Sequence, residues 1–271
     1  MGIEKITLAL LLLLALTPLT LAHETEYHFE REELPLYLSP SFFIIITGSW
    51  LILLTIIAVM AAKNMNETLK KILFWLMVIP VVLSTFYVAG HTVYENIISP
   101  TNGPVHWHAD YEVWACGEKL DLIDPKFPKN KIGTPVLHEH NDDRIHLEGT
   151  PLSLDEATLG YYFYVINGEL DFGHLRYDAI SGYVDVENGD QCPDGQEGIL
   201  KVWVNGEKIQ DPAKYRYYPD PLVPPGDCVI IEFSPGDPET TDRICASWEV
   251  NGWTYDNYER KEVTIGEYTY R

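Results

Sequence analysis

The chain carries too little positive charge to hold a polyanion. Its 271 residues include 19 Lys and Arg against 40 Asp and Glu, a formal net charge of -21, the wrong sign for neutralising phosphates. Nucleic acid is thereby excluded as a partner. Cysteine is scarce too: Cys116, Cys192, Cys228 and Cys245 are the only four, and no Cys-x-x-Cys occurs. That removes a thioredoxin-like redox site and a paired-cysteine zinc knuckle. None of the four methionines lies beyond Met77, so the rest of the chain offers no axial thioether for a blue-copper centre. Also missing are Gly-x-Ser-x-Gly, a phosphate-binding loop, His-Glu-x-x-His and the Asp-rich loop of calcium-binding hands. No motif names a reaction.

What the chain has in plenty is apolar runs near its start. Residues 1–22 read as a signal peptide, or alternatively as an uncleaved anchor helix. They hold an apolar core from Ile6 to Leu16, then Pro18, and Thr20 and Ala22 at minus three and minus one of a cut. Residues 23–40 form an acidic extracytoplasmic segment with five glutamates and one arginine. Residues 41–94 read as a two-helix membrane hairpin, because Ser41–Ala62 and Ile72–Ala89 are uncharged and long enough to cross a bilayer. The turn between them carries Lys63, Lys70 and Lys71 against Glu67. Positive loops stay in the cytoplasm, which places both flanks outside. Pro80 predicts a kink whose open backbone groups need partners. The lipid bilayer is therefore an expected partner, the cell membrane the expected location, and homo-oligomerisation through the two helices follows as an option.

Residues 95–271 then make an extracytoplasmic domain with 33 Asp and Glu against 14 Lys and Arg. All four cysteines lie in it, an even number in an oxidising compartment. Two disulfides are expected, and spacing leaves all three pairings open. The β-rich run His106–Cys116, then Gly117-Glu118 and Lys119–Ile123, predicts a hairpin. Alternation predicts a strand over Arg144–Glu148, and Ser153-Leu-Asp-Glu156 has the spacing of a capping box opening a helix over Leu154–Val165, ended by Asn167-Gly168. Ile199–Val204 runs into Asn205-Gly206, a strand and a turn. Cys228–Phe233 is continuously apolar and predicts a central strand. The region after Ser234, with Trp248 and Trp253, is expected to add a strand or flap over one edge. Tyr161–Tyr164 and Tyr215–Tyr218 read as core aromatics with hydroxyls at the boundary. The fold class is α+β: two or three N-terminal membrane helices and a β-rich domain with one main helix.

Histidine is concentrated in one place. His106, His108, His138, His140 and His146 fall within 41 residues, where nine in 271 would put one or two. His106/His108, His138/His140 and His146/Glu148 each have i, i+2 spacing, so in extended backbone both members of a pair share a face. Three such pairs would assemble several imidazoles and a carboxylate, a donor set for a borderline transition ion. Copper and zinc come first, and iron behind them. Asp110, Asp142 and Asp143 are candidate partners for ring N–H groups. His174 stands apart as an extra candidate. The alternative functions are a metal-dependent hydrolase or oxidoreductase, with Glu148 or Asp143 as base, and a surface interaction module without metal.

Two resemblances add to this reading. Val-Trp-Val-Asn-Gly-Glu followed by Pro-Pro-Gly-Asp-Cys-Val-Ile-Ile resembles the closing strands of the sulfur-carrier and ubiquitin-like β-grasp proteins over about 35 residues. Sulfur carriers end in Gly-Gly, whereas this chain continues to Arg271, so sulfur transfer is not implied. The order HWHADYEVWACGEKLDL, VLHEHNDDRIHLEG, SLDEATLGYYFYVING, ILKVWVNGEKI and PPGDCVIIEF is similar to a family of uncharacterised archaeal and bacterial membrane-anchored proteins. The likeness covers most of residues 104–233. It implies shared polar positions at His106, His108, His138, His140, His146 and Glu148, with Asn141 standing where that family often has Asp.

Overall fold

The computed structural model describes residues 39–218, 226–260, 262–265 and 268–270. The signal or anchor reading of residues 1–22, and nearly all of the acidic segment, fall outside them. Helix α1 (Pro40–Ala61) starts where Ser39 accepts from the Phe42 amide and Pro40 fixes the first turn. Helix α2 (Glu67–Ile98) is capped by Asn66, whose Oδ1 accepts from the Leu69 amide at 2.8 Å. Both helices are long and apolar enough to cross a membrane. Pro80 has no N–H to give the Leu76 carbonyl one turn back; Trp50 Nε1 of α1 donates to that oxygen instead, at 3.0 Å. A Thr47–Ser84 hydroxyl bond also joins the two helices. At the top of α2, Asn96 accepts from Thr150 Oγ1 at 3.0 Å, and Ser99 Oγ donates to the Pro151 carbonyl at 2.6 Å. The domain is thus fastened to the end of the helix that leads into it.

The main sheet is built around a long first strand, β1 (Val105–Ala115), which pairs in parallel with the last long strand, β11 (Asp227–Pro235). Beyond β11 lie β9 (Gly198–Val204) and β10 (Glu207–Lys208). On the other side of β1 lie β5 (Arg144–Gly149), β4 (Leu137–Glu139) and β3 (Ile132–Gly133), all antiparallel to their neighbours, and β2 (Glu118–Leu120) pairs with the end of β1. Two-residue turns close β1–β2 at Cys116-Gly117 (φ 50° and 88°) and β9–β10 at Asn205-Gly206 (φ 52° and 85°). Consecutive positive φ values are what a tight hairpin of right-twisted strands requires.

The continuous apolar run in β11 is explained by burial on both faces. Val229, Ile231 and Phe233 enter the larger core with Tyr111, Leu147, Phe163 and Tyr177, while Cys228 and Ile230 enter a second core with Trp203, Cys245 and Trp248. Helix α3 (Leu159–Val165) covers the first core, burying Tyr161, Tyr162 and Phe163. Tyr217 and Tyr218 are buried as well. Disulfides join Cys116 to Cys192 and Cys228 to Cys245, a bonding state kept by oxidising surroundings.

Two expectations need correction, and one sheet went unread. The helix over Leu154–Val165 is broken: Leu154–Ala157 is a 3-10 turn, Thr158 is extended, and only Leu159–Val165 is α-helical. The cause is long-range pairing, since Leu159 N donates to Tyr215 O and Tyr217 N to Ala157 O. Glu156 turns to the Leu152 amide instead of closing a capping box. Second, the region after Ser234 lies over a face of the sheet: helix α4 (Ala246–Val250) brings Trp248 into the second core. Strands β6 (Glu169–Leu170), β7 (His174–Ala179) and β8 (Gly182–Glu187) form a separate antiparallel sheet that sequence reasoning missed. The C-terminal residues add a two-stranded ribbon, β12 (Val263–Ile265) with β13 (Tyr268–Tyr270).

Candidate metal centre

Alternation on β1, β5 and β4 builds the site. On β1, Trp107, Ala109 and Tyr111 enter the larger core, so His106, His108 and Asp110 take the opposite face. Ile145 and Leu147 of β5 enter the same core, leaving Arg144, His146 and Glu148 beside those β1 residues. The register pairs His106 with Glu148, His108 with His146, and His138 of β4 with His146. His108, His146 and His138 therefore form a row across three adjacent strands. Gly133 of β3 (φ 112°) lies directly over His138; a Cβ there would meet the Leu137 carbonyl at 2.5 Å.

All six residues singled out in the sequence come together. Ring centroids are 4.6 Å apart for His106–His108, 4.9 Å for His108–His146, 5.7 Å for His146–His138 and 4.8 Å for His138–His140. Glu148 reaches into the group: its Oε1 is 2.9 Å from His106 Nε2 and 3.6 Å from His146 Nδ1, and its Oε2 is 3.7 Å from His138 Nε2. One donor atom each from His106, His108 and Glu148 lie within 4.8 Å of one another. His140 sits at the margin, its Nδ1 2.9 Å from the Asn130 carbonyl. That carbonyl can only accept, so Nδ1 carries the proton and a neutral ring leaves Nε2 free to donate an electron pair.

The inner rings are buried, and several of their nitrogens lack a hydrogen bond among the described residues. His138 is 0% exposed, His108 5% and His146 9%. His138 Nδ1 and Nε2, His108 Nδ1 and His146 Nδ1 make no hydrogen bond among the described residues. Burial, then Lys131, pulls the His138 pKa down to about 4. Burial, followed by His146 and His106, does the same to His108, also to about 4. Burial alone would raise the Glu148 carboxyl, but His106, His138, His146 and His108 outweigh it and hold its pKa below the usual value. His108 and His138 are thereby kept neutral, with lone pairs to give, beside a carboxylate held ionised, which is the protonation state that a cation needs.

Of the three aspartates considered as ring partners, one serves. Asp142 meets His146 Nε2 at 3.1 Å. Asp110 instead binds Arg144 and the Ser247 hydroxyl, and Asp143 binds Lys119 at 2.9 Å. Sequence reasoning passed over Glu139, which lies between two histidines and so points to the opposite face. It is buried, and its Oε1 accepts from the amides of Asp142 and Asp143. It thereby shapes the loop that presents Asp142 to His146. A carboxylate at the odd position of His-x-His was the available signal. His174 lies elsewhere, on β7, with Glu169, Asp171 and Asp185. Comparison with family models, curated proteins and solved structures finds no match for this chain.

Proposed function

We propose that this is a membrane-anchored, extracytoplasmic metal-binding protein that holds copper or zinc through His106, His108, His138, His140, His146 and Glu148, with iron as the next candidate. The observation that carries this reading is the set of buried ring nitrogens, on three adjoining strands, that make no hydrogen bond among the described residues. A buried polar atom without a partner costs roughly 1–3 kcal/mol, so several in one place need a compensating ligand. Imidazole and carboxylate suit a borderline divalent ion. Anchoring is supported by the two apolar helices, and the outward orientation by the lysines of their turn and by the two disulfides. The exposed helix faces suit self-association in the bilayer. The parallel pairing of the first and last long strands supports the β-grasp likeness.

One feature favours enzymatic use of the ion. The His106 side chain is 64% exposed and that of Glu148 37%, so the outer side of the site is open to water or a small molecule, as a hydrolase or oxidoreductase requires. Asp143 is tied to Lys119 and is poorly placed as a base, and Glu148 can act as one only while it is not itself a ligand. Clustering on one face offers no support to a metal-free interaction module. The test uses the full chain in detergent, loaded with copper or zinc, dialysed and analysed for metal. Retained metal in the wild type and a lower content in His108→Ala/His146→Ala is expected. A wild-type protein that retains none overturns the proposal.

A further inference from the structure

The cluster has more donors than one ion can use. Five imidazoles and Glu148 converge, whereas zinc in proteins takes about four ligands at roughly 2.0–2.2 Å. Two donors of one ion therefore lie at most about 4.4 Å apart. His106 and His108 stand on β1, and His138 and His140 on or just after β4, two strand spacings or roughly 10 Å away. The ring of His146 occupies the strand between them, 4.9 Å from His108 and 5.7 Å from His138. One ion could not draw in both pairs without displacing that ring.

Glu148 spans the division. Its Oε1 faces His106 Nε2 and His146 Nδ1, and its Oε2 faces His138 Nε2. The donors of His106, His108 and Glu148 gather within 4.8 Å of one another, while His138, with both nitrogens buried and making no hydrogen bond among the described residues, lies on the other side of the carboxylate.

We infer that the site is dinuclear, with Glu148 bridging two transition-metal ions. His106, His108 and His146 hold one ion through Oε1; His138 and His140 hold the other through Oε2. The second ion has fewer protein donors, so it keeps positions for water and is the more readily lost. This inference rests on the metal-binding reading above and goes further by fixing the number of ions and the ligands of each.

Full-length protein in detergent is titrated with Cu(II), and bound copper is counted by elemental analysis and by spin integration of its electron paramagnetic resonance spectrum. Two coppers per chain are expected, with a spin count well below the copper count, because a carboxylate-bridged pair couples its spins. His138→Ala/His140→Ala and His106→Ala/His108→Ala should each retain one copper with its full spin. Glu148→Gln should restore full spin to whatever copper it binds. His174→Ala must leave the count at two; a fall to one would put the second ion on β7 and overturn the inference. One copper in the wild type, lost in either double variant, overturns it while leaving metal binding intact. No copper at all would instead overturn the reading on which it rests.

Discussion

Two places in the β-rich domain put histidine beside carboxylates, and they solve the electrostatics in opposite ways. On β7, His174 has both nitrogens engaged: Nε2 lies 2.6 Å from Asp185 Oδ1 and Nδ1 3.4 Å from Glu169 Oε1. Partial burial works against the charged ring, but Asp185 and Glu169 outweigh it and raise the His174 pKa. On β1, β4 and β5 the rings outnumber the carboxylates, burial dominates, and His108 and His138 are driven to about 4. A histidine with an acid on each nitrogen is a finished ion pair. His138, by contrast, is buried with neither nitrogen hydrogen-bonded among the described residues. Proximity of His to Asp or Glu does not separate the two cases; the partner of each nitrogen does.

The largest expected effect uses ligand-linked stability. A ligand held by the native state at 1,000 times its dissociation constant stabilises by about 4 kcal/mol. Saturating zinc should raise the thermal midpoint of the wild type and of His174→Leu alike, and raise that of His138→Leu by less. The metal-free proteins should rank the other way: His138→Leu removes two orphaned nitrogens and gains stability, on the order of 1–2 kcal/mol, whereas His174→Leu breaks an ion pair and gains none. Zinc-dependent stabilisation that survives in His138→Leu and vanishes in His174→Leu would reverse the assignment of the two regions.

Acidity sharpens the same contrast with a somewhat smaller effect. His108 and His138 titrate near 4 when folded and near 6.5 when unfolded. Between those values the unfolded chain binds more protons, so metal-free stability rises with pH there and is lost as pH falls from about 6.5 towards 4. For the two rings together, a loss on the order of 2–3 kcal/mol is expected after allowance for solvent screening. His174 has the opposite sign: its raised pKa contributes stability that is complete below about 6.5 and disappears as pH rises through the folded value. Urea melts across this range should therefore show a flatter acid limb in His108→Phe/His138→Leu and a flatter neutral limb in His174→Gln. An unchanged acid limb in the double variant would mean that other groups set the acid sensitivity.

Much of the site was legible because period-two alternation survives in short motifs. His-x-His and Ile-His-x-Glu assign each side chain to a face without any knowledge of the fold. What the motifs cannot carry is strand adjacency, and it is the register pairing His108 with His146 and His146 with His138 that turns three pairs into one cluster. The same limit explains the misread helix, since Thr158 is drawn out by hydrogen bonds to residues more than 50 positions away. Cysteine pairing was equally out of reach, because Cys116–Cys192 closes 76 residues and Cys228–Cys245 closes 17, and nothing local distinguishes them from the alternatives. By contrast, β7 and β8 were readable and missed. His174–Ala179 alternates intermediate and buried residues around Leu175, Tyr177 and Ala179, and Ser181-Gly182 marks the turn, but the charged residues interleaved in that stretch masked the pattern.

The smallest effect isolates the role of the acids. On β7, Asp185 is a principal partner of the His174 ring and raises its pKa. In the cluster, Asp142 touches His146 through Nε2 and leaves Nδ1 facing Glu148. An acid on the far nitrogen of a metal-binding ring fixes its tautomer and orientation, and its loss typically weakens the metal by 10–100-fold. The Asp142 backbone amide also donates to Glu139 Oε1, and that backbone contact is kept in Asp142→Asn, so the change is confined to the carboxylate. Asp142→Asn should therefore lower zinc affinity about tenfold, the small end of that range, because an amide oxygen can still accept from Nε2. Asp185→Asn should leave zinc affinity unchanged and move the His174 titration, followed by the ring-proton resonances, towards lower pH. Equal zinc affinities for Asp142→Asn and the wild type would show that His146 is oriented by its strand neighbours alone, and that Asp142 is no more than a solvated loop acid.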